Sequence, residues 1–365
     1  MATTTLAGLR LSSEVDAAIS GGTEMPKATR AWYNKVFLSV ARGLLIHDQF
    51  GMPTTLPKNT GEQVIWRRWL DLATATVPLG EGVNPTGSTL AYENVLATVK
   101  WYGDWVGITD VVDFHHVDNV LSIATEKLAR QAAETMDEIT RDIINAGTSF
   151  LRVVTDGSNP TNGVGLRTTV NGVCTKAALD TAITTLESEN AEKFRPMQGA
   201  SKKVATQPLA PTYVGLIHPH VANGFVKALA GFATDDWIPF QKYASGGIAY
   251  EGEIGTYRNV RMIQSTKAKY WPNTGGGTDL STTPTVAGVY RSTSGSLADV
   301  YSVLILAKEA FGVVKLAGAY NTYYNKAGGN SDPLHRLATA AWKAVKTAAI
   351  LDDSKMIRIE CAATW

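Results

Sequence analysis

Two adjacent histidines are the residues that come nearest to a metal-binding cluster in this sequence. Asp113, His115 and His116 lie in the stretch DFHH, and imidazole and carboxylate groups are ligands that zinc accepts. A metal-dependent hydrolase that uses His115 and His116 is therefore one function to consider. Neighbouring side chains on a strand point to opposite faces, however, and no HExxH pattern or second pair of ligands follows. The sequence favours structural or solvated histidines, and it predicts no metal and no other cofactor.

The other reactive side chains lack the partners that catalysis needs. His218 and His220 flank a proline at a predicted strand-to-helix turn, where capping or packing is the commoner role. The acidic pairs in ATDDW and LDDSK are typical of solvated turns. The phosphate-binding patterns GxxxxGK[ST] and GxGxxG and the GxSxG elbow are absent, and Cys174 lacks the signature of a nucleophile. We therefore expect a protein that is not an enzyme.

A run of aromatic and basic residues, WRRW, could bind another molecule. It comprises Trp66, Arg67, Arg68 and Trp69, and on a strand Trp66 and Arg68 share one face while Arg67 and Trp69 share the other. Aromatic rings of this kind can stack on single-stranded nucleic acid. Arginines stacked on aromatic rings are equally typical of protein interfaces. The position of the run within a predicted strand favours an interface.

Composition and charge limit the classes of partner. Of the 365 residues 44% are hydrophobic, and 34 basic against 33 acidic residues leave a net charge of +1. Binding to nucleic acid through bulk electrostatics is therefore not expected, although a shell that encloses nucleic acid stays possible. No signal peptide and no membrane span are expected from the sequence. Cys174 and Cys361 suit a reducing cytoplasm, and a disulfide between them is possible without support from the sequence.

One long helix is predicted between residues 117 and 147. Asp118 or Asn119 can cap its start and Gly147 its end, whereas Glu134 and Asp137 lie off the apolar stripe. The stripe recurs at steps of three and four, at Val117, Leu121, Ala124, Leu128, Ala132, Met136, Ile139 and Ile143. Alanine at several of these positions favours a one-sided helix packed on a sheet over a coiled coil.

A long hairpin is predicted over residues 57–108, with a tip broken by Gly80, Gly82, Pro85 and Gly87. Its return strand could run for about fifteen residues, or about 50 Å, and an isolated hairpin is not stable in water. The exposed rows of apolar side chains therefore need cover, either from the same chain or from a neighbouring copy, and the sequence favours the copy. Those rows comprise Trp66, Trp69, Val95, Val99 and Trp101.

Further elements make the fold α+β. A second helix is predicted after Thr175, a strand leads into a short helix in TYVGLIHPHVANGF, and two strands flank a turn near Glu309. The C-terminal stretch HRLATAAWKAVKTAAILDDSK is predicted to be mixed, and the final strand runs from Met356 to Cys361.

Several stretches, taken in order, resemble the major capsid proteins of tailed bacteriophages, in particular the family named after N-four-type phages. They are KVFLSVARGLLIHDQFG, PLGEGVNPTG, YGDWVGITDVVD, MDEITRDIINAGT, GLIHPHVANGF, EGEIGTYRNVRMIQS, EAFGVVKLAG and AAWKAVKTAAILDDSKMIRIECAA. Each motif is modest, but their joint order from about residue 35 to residue 363 is specific.

The resemblance implies the Hong Kong 97-like shell fold. It places an N-terminal arm and first helix at 1–50, the E-loop hairpin at 57–108 and a peripheral domain at 109–205 with the spine helix at 117–147. An axial domain follows at about 206–335, and 336–365 returns to the peripheral domain. The E-loop would lie on an adjacent subunit through Trp66, Arg67, Arg68, Trp69, Val95, Val99 and Trp101. The spine would pack through Leu121, Leu128, Met136, Ile139 and Ile143.

The function implied by the resemblance is structural. The chain would assemble in the host bacterial cytoplasm into pentamers and hexamers of an icosahedral phage head that encloses double-stranded DNA without reading its sequence. Scaffold, portal and decoration proteins are further possible partners, and no membrane is involved. The alternatives are an encapsulin-like nanocompartment shell, which shares the fold, and the hydrolase that would use His115 and His116.

Overall fold

The structure of the chain is a computed structural model that describes most residues from Leu45 onward. The described residues are 45–56, 61–76, 78, 81–82, 87–115, 118–154, 161–162, 165–195, 210–227, 237–243, 250–276, 280–282, 289–316, 321–325, 334 and 336–364. Most of the predicted arm, much of the hairpin tip and residues 196–209 lie outside them.

The described elements confirm the predicted α+β class. The helices are α1 (Asp110–His115), α2 (Val120–Ile144), α3 (Lys176–Ser188) and α4 (Pro219–Lys227). The strands in the first third of the chain are β1 (Met52–Leu56), β2 (Gln63–Trp69), β3 (Tyr92–Thr98) and β4 (Lys100–Thr109). Those of the middle are β5 (Phe150–Arg152), β6 (Thr161–Asn162), β7 (Tyr213–Ile217), β8 (Trp237–Pro239), β9 (Glu253–Tyr257), β10 (Val260–Gln264) and β11 (Tyr270–Trp271). The last are β12 (Leu280–Ser281), β13 (Tyr290–Arg291), β14 (Val300–Leu306), β15 (Phe311–Leu316), β16 (Asn321–Asn325), β17 (Leu337–Ile350) and β18 (Met356–Ala362).

The long helix α2 is shorter at both ends than the predicted 117–147. The Asn119 side chain accepts a hydrogen bond from the backbone N–H of Ser122 at 3.1 Å, as an N-cap does. The C-cap is Asn145, whose side chain donates to the carbonyl of Arg141 at 2.8 Å. The prediction that Gly147 caps the helix is therefore wrong, because a polar residue two positions earlier already satisfies the terminal carbonyl.

The buried face of α2 is rotated relative to the predicted apolar stripe. Asp137 was expected on the polar face, yet it is fully buried, so that expectation is wrong. The physical reason is that its carboxylate has buried hydrogen-bond donors, which compensate the loss of water. The face comprises Thr125, Leu128, Ala129, Ala132, Ala133, Met136, Asp137, Thr140 and Ile144.

The first sheet lies against α2 and is organised by the long strand β17. Along one edge β17 pairs with β4, and along the other it pairs with β16 and then with β15, which is joined to β1. Trp342 and Tyr324 of the sheet pack with Leu128 and Met136 of the helix. Alanines on both surfaces bring the helix close to the sheet.

The segment that forms β17 was predicted to be mixed, and this prediction is wrong. Its sequence, LATAAWKAVKTAAI, is rich in alanine and lysine, which favour helices. Hydrogen bonding to neighbours on both edges overrides that local preference, because a central strand satisfies its whole backbone in the sheet.

The second sheet forms the larger core. Its strands follow the order β6-β5-β18-β14-β7-β10-β9-β8, with β11 paired to β14. Helix α3 begins at the predicted cap Thr175, which accepts from the backbone N–H of Ala178, and packs on this sheet through Leu179, Ile183 and Leu186. No described helix is long and apolar enough to cross a membrane.

Candidate subunit interface

The predicted hairpin is present in its described part, but its return leg consists of two strands. β2 and β3 pair antiparallel, from Gln63 opposite Thr98 to Trp69 opposite Tyr92. β4 then leaves the hairpin and pairs with β17 of the same chain. The expectation of a single return strand of about fifteen residues is therefore wrong. The backbone of its second half, β4, forms its hydrogen bonds with β17 and not with β2.

The inner face of the hairpin is covered by its own chain. The Trp66 indole donates to the Thr54 hydroxyl at 2.8 Å and lies over Gly312, where a Cβ atom would come within 2.8 Å of the ring. Val64, Trp66 and Ala97 form one cluster with Leu56 and Val314, and Val95 and Val99 pack against its edge. The expectation that a neighbouring copy covers this face is wrong, because β1 and β15 of the same chain cover it.

An arginine fixes the hairpin to the turn after β17. The Arg68 guanidinium lies 2.8 Å from the carboxylates of both Glu93 and Asp352. Burial opposes the charge on Arg68, but Asp352 and Glu93 together raise its pKa above the ordinary value. The second aspartate of LDDSK also makes a structural contact, because the Asp353 carboxylate accepts a hydrogen bond from the backbone N–H of Thr148 at 2.8 Å. Both members of this acidic pair therefore have a structural role.

The outer hairpin face, which we define as Ile65, Arg67, Trp69, Tyr92 and Leu96, is open to solvent. Trp69 is 55% exposed and Leu96 60% exposed. The Trp69 and Tyr92 rings meet edge to face with centroids 5.2 Å apart, and the Arg67 guanidinium lies 4.5 Å from the Tyr92 centroid. The expected division of the WRRW run between two faces is confirmed. An ordered apolar surface of this kind is typical of an interface.

A second apolar surface lies on the side of the first sheet that faces away from α2. We call it the sheet groove and define it by Trp101, Trp105, Tyr323, Leu337 and Lys343. It encloses about 600 Å³, and the Lys343 ammonium lies 4.1 Å from the Trp101 centroid. The groove is concave because no side chain stands between Trp101 and Trp105.

A glycine keeps the sheet groove open. Gly103 lies between the two tryptophans of β4, and a Cβ atom there would come within 2.7 Å of the Trp342 carbonyl oxygen. Trp101 belongs to this groove and not to the hairpin. Sequence reasoning missed Trp105 and Tyr323, although the spacing of Trp101 and Trp105 along one strand places both on one face.

The residues predicted for spine packing differ in burial. Leu128 and Met136 are buried against the first sheet. Leu121 and Ile139 are partly buried at the margin of the same cluster, and Ile143 packs on the neighbouring core. The centre of the contact is formed by small residues and Asp137, because α2 approaches closely along its alanine-rich side.

The predicted histidine cluster gives no metal geometry in the described residues. His115 ends the short helix α1, exposed beside Phe114, and His116 lies outside the described part. Across the described ranges no three histidine, cysteine, aspartate or glutamate side chains are grouped so that they could hold a metal ion.

Comparison with known proteins identifies relatives of this arrangement. A family model described as "Phage capsid protein" matches residues 92–325. The capsid of the cyanophage P-SCSP1u is 15% identical, with 87% of this chain and 88% of that chain covered and a TM-score of 0.56. The capsid of Ralstonia phage GP4 is 11% identical, with 86% and 90% covered and a TM-score of 0.57.

A third solved structure agrees with these two. The capsid of cyanophage Pam1 is 14% identical, with coverage of 84% and 86% and a TM-score of 0.53. A search of curated proteins gives no match. At such low identity the structural likeness shows the fold, and it confirms the predicted Hong Kong 97-like class.

Proposed function

The chain belongs to the phage capsid protein family, and from this membership we propose that it builds the pentamers and hexamers of an icosahedral head around double-stranded DNA. It is a structural protein of a capsid shell. The family match favours a phage head over an encapsulin-like nanocompartment and over a hydrolase. The proposal includes assembly in the host cytoplasm, scaffold, portal and decoration proteins as partners, and no catalytic activity.

The outer hairpin face is the observation that supports the proposal most directly. Its tryptophan, tyrosine, leucine and isoleucine side chains are held in fixed positions by β2–β3 pairing, yet they remain exposed in the single chain. Burial of this surface would be favourable by roughly 25 cal/mol for each Å² of apolar area. A shell supplies that cover from another copy of the same chain.

We propose that the outer hairpin face of one copy packs on a different surface of the next copy, the sheet groove, so that the contact is heterologous. Within one chain the outer hairpin face and the sheet groove are different surfaces, and both present exposed aromatic side chains. Contacts between two different surfaces of identical subunits generate rings when the rotation closes. Rings of five and six subunits are the closed forms that an icosahedral shell needs, so we propose a second copy as the occupant of the outer hairpin face.

Polar replacement of the outer hairpin face tests this proposal. The double variant Trp69→Ser with Leu96→Ser removes two exposed apolar side chains and leaves the Trp66 cluster intact. The control, Gln63→Ser with Thr98→Ser, alters a polar cross-strand pair of the same hairpin. Circular dichroism follows folding, and light scattering with electron microscopy follows assembly.

The expected result separates folding from assembly. Both variants fold, the control forms closed particles as the wild type does, and the Trp69 and Leu96 variant does not at the same protein concentration. Normal particles from that variant would contradict the role of the outer hairpin face. Phage DNA inside particles from the host supports a head, whereas a protein cargo without DNA supports a nanocompartment.

A further inference from the structure

Three arginines surround one acidic side chain near the edge of the second sheet. Glu360 of β18 is fully buried. Its carboxylate accepts hydrogen bonds from Arg358 of the same strand at 3.0 Å, from Arg152 of β5 at 2.9 Å and from Arg167 at 2.8 Å. Three positive charges therefore meet one negative charge. We propose that this arginine cluster, defined as Arg152, Arg167 and Arg358, binds the phosphate group of a ligand.

The alternation of side chains along β18 explains why these charges share one face of the sheet. Ile359 packs in the core with α3, so its neighbours Arg358 and Glu360 point to the opposite face. β5 runs parallel to β18 with Arg152 opposite Glu360, and paired residues of neighbouring strands lie on the same face. Arg167 reaches the same carboxylate from a single turn of 3₁₀ helix.

Two of the guanidinium groups lie side by side and reach solvent. The Nε atoms of Arg152 and Arg167 bond to the same oxygen, Glu360 Oε2, at 2.9 Å and 3.2 Å, so they cannot be further apart than the sum of these distances. Arg152 is 12% exposed and Arg167 29% exposed. Aromatic rings hold both in place, since the guanidinium of Arg152 lies 4.1 Å from the Phe150 centroid and that of Arg167 lies 3.9 Å from the Trp271 centroid.

The arginines retain donors for a further ligand. The Glu360 carboxylate and main-chain carbonyl oxygens accept from Nε and Nη1 of Arg152 and Arg358. The same carboxylate accepts from Nε and Nη2 of Arg167. Among the described residues, one terminal nitrogen of each guanidinium therefore has no hydrogen-bond partner. A phosphate oxygen is a suitable acceptor, because the planar guanidinium matches the geometry of phosphate.

The excess of positive charge distinguishes the arginine cluster from the charged network along α2. Burial lowers the pKa of Arg358 despite the charge of Glu360, and the charges of Arg167 and Arg152 lower it further. An added anion would reduce this repulsion. The network along α2 has no such excess, because its acidic and basic members are equal in number. They are Glu134, Glu138, Arg141, Asp142, Lys267 and Lys269.

Inorganic phosphate and the backbone of double-stranded DNA both supply this chemical group. Binding of DNA to the arginine cluster rests on the proposed capsid function. Binding of inorganic phosphate depends neither on assembly nor on DNA. The two probes therefore separate a failure of the site from a failure of the proposed function.

Titration of the full-length protein with inorganic phosphate, with the ionic strength held constant by sodium chloride, tests the site. Calorimetry should show one phosphate for each chain with a Kd of about 1 mM. Arg167→Gln removes an exposed guanidinium and leaves Glu360 with two arginines, and its Kd should be about tenfold higher. The control Arg258→Gln removes an exposed arginine that pairs with Asp180, and it should keep the wild-type Kd. Circular dichroism checks that both variants fold.

Hydrogen exchange of the wild type gives a second readout that needs no variant. Phosphate should slow the exchange of peptides that cover residues 165–170, and it should leave peptides around Arg258 unchanged. Three outcomes would overturn the proposal: no phosphate binding by the wild type, an equal Kd in Arg167→Gln, or unchanged exchange at 165–170.

A short duplex DNA of mixed sequence then identifies the source of the phosphate. Fluorescence anisotropy at low salt compares its binding to Arg167→Gln and to Arg258→Gln. Weaker binding by Arg167→Gln, together with competition by inorganic phosphate, supports the DNA backbone as the ligand. Equal DNA binding by the two variants, with weaker binding of inorganic phosphate by Arg167→Gln, supports a site for free phosphate and contradicts a contact with DNA.

Discussion

The imidazole Nδ1 of His47 lies 2.6 Å from the carboxylate Oδ2 of Asp137, and both side chains are buried. The other carboxylate oxygen accepts the backbone N–H groups of Ile46 at 3.0 Å and His47 at 2.8 Å. One acidic residue of α2 thereby fixes the segment that leads into β1. The strand β1 in turn supports the inner face of the hairpin, so this contact connects the long helix to the candidate interface.

Loss of the Asp137 carboxylate should destabilise the chain strongly. Asp137→Ala leaves two backbone donors and the His47 ring without their buried acceptor, and we expect the free energy of unfolding to fall by about 3 kcal/mol. The control is Asp142→Ala on the same helix, where the exposed carboxylate pairs with Arg141 and Lys269 and the loss should stay below about 1 kcal/mol. Urea unfolding measures both, and equal losses would show that the buried contact is not important.

The apolar contact of α2 with the first sheet should not tolerate a charge. Met136 is 1% exposed among Ala340, Trp342 and Tyr324, and Met136→Asp buries a carboxylate without a partner. We expect a loss of about 3 to 5 kcal/mol. Glu126→Ala, on the exposed side of the same helix, should change the stability by less than about 0.5 kcal/mol. Thermal unfolding of the two variants tests the orientation of the helix. Equal losses of stability in both would contradict the buried position of Met136 and the exposed position of Glu126.

A buried carboxylate on β18 should make stability depend on acid pH. Glu360 accepts hydrogen bonds from Arg152, Arg167 and Arg358 at 2.8 to 3.0 Å. Burial alone would raise its pKa, but the hydrogen bonds and charges of the arginines outweigh burial and lower the pKa below the ordinary 4.5. The unfolded chain therefore takes up the proton first, and this stabilisation is full above pH 4.5 and is lost as pH falls through the folded pKa.

The variant Glu360→Gln keeps the size of the side chain and removes its charge. It should be less stable than the wild type at neutral pH, and the difference between the two should shrink as the medium is acidified below about pH 4.5. Urea unfolding at several pH values measures the difference. A constant difference across the range would mean that charge on Glu360 does not stabilise the fold.

A buried histidine at the start of α4 should produce a second pH effect at milder acidity. His218 accepts the backbone N–H of His220 at its Nδ1, at 3.2 Å, so a proton on that nitrogen would break the bond. Burial, then the charges of His220 and Arg291, lower its pKa from 6.5 to about 4. Because the unfolded chain binds the proton first, stability falls as pH decreases from about 6.5 towards about 4.

Replacement of His218 should reduce that pH dependence. In His218→Gln the decrease of Tm between about pH 6.5 and about pH 4.5 should be smaller than in the wild type, because one group that titrates differently in the two states is gone. His115→Gln provides the control, since His115 is exposed on α1. If His218→Gln and the wild type lose Tm in parallel, His218 is not the responsible group.

The sequence predicted elements whose local signals agree with their tertiary contacts. The Asn119 cap, the Thr175 cap and the turn at Glu309, which adopts a φ of 62°, all follow from local chemistry. Asp137 and β17 could not be predicted in the same way. The buried environment of Asp137 is formed by donors some ninety residues earlier in the chain. The strand conformation of β17 depends on pairing partners that include β4, which is distant in the sequence.

The candidate interface could be predicted only in part, because it too depends on contacts between residues that are distant in the sequence. Alternation along the WRRW run separated Trp66 from Trp69 correctly, but it could not tell which face the chain itself covers. That choice depends on β1 and β15, whose pairing joins residues far apart in the sequence. The second apolar surface required knowledge that β4 pairs with β17 and β17 with β16, which places Tyr323 beside Ala341.

The most direct measurement is a cryo-electron microscopy reconstruction of the particles that the full-length chain forms, at a resolution that places the Trp69 and Leu96 side chains. We expect closed icosahedral shells with rings of five and six copies. We also expect the outer hairpin face to be buried against another copy, within a contact of about 2,000 Å² or more. A chain that remains a monomer, or a closed shell in which Trp69 and Leu96 stay in solvent, would contradict the proposed capsid assembly.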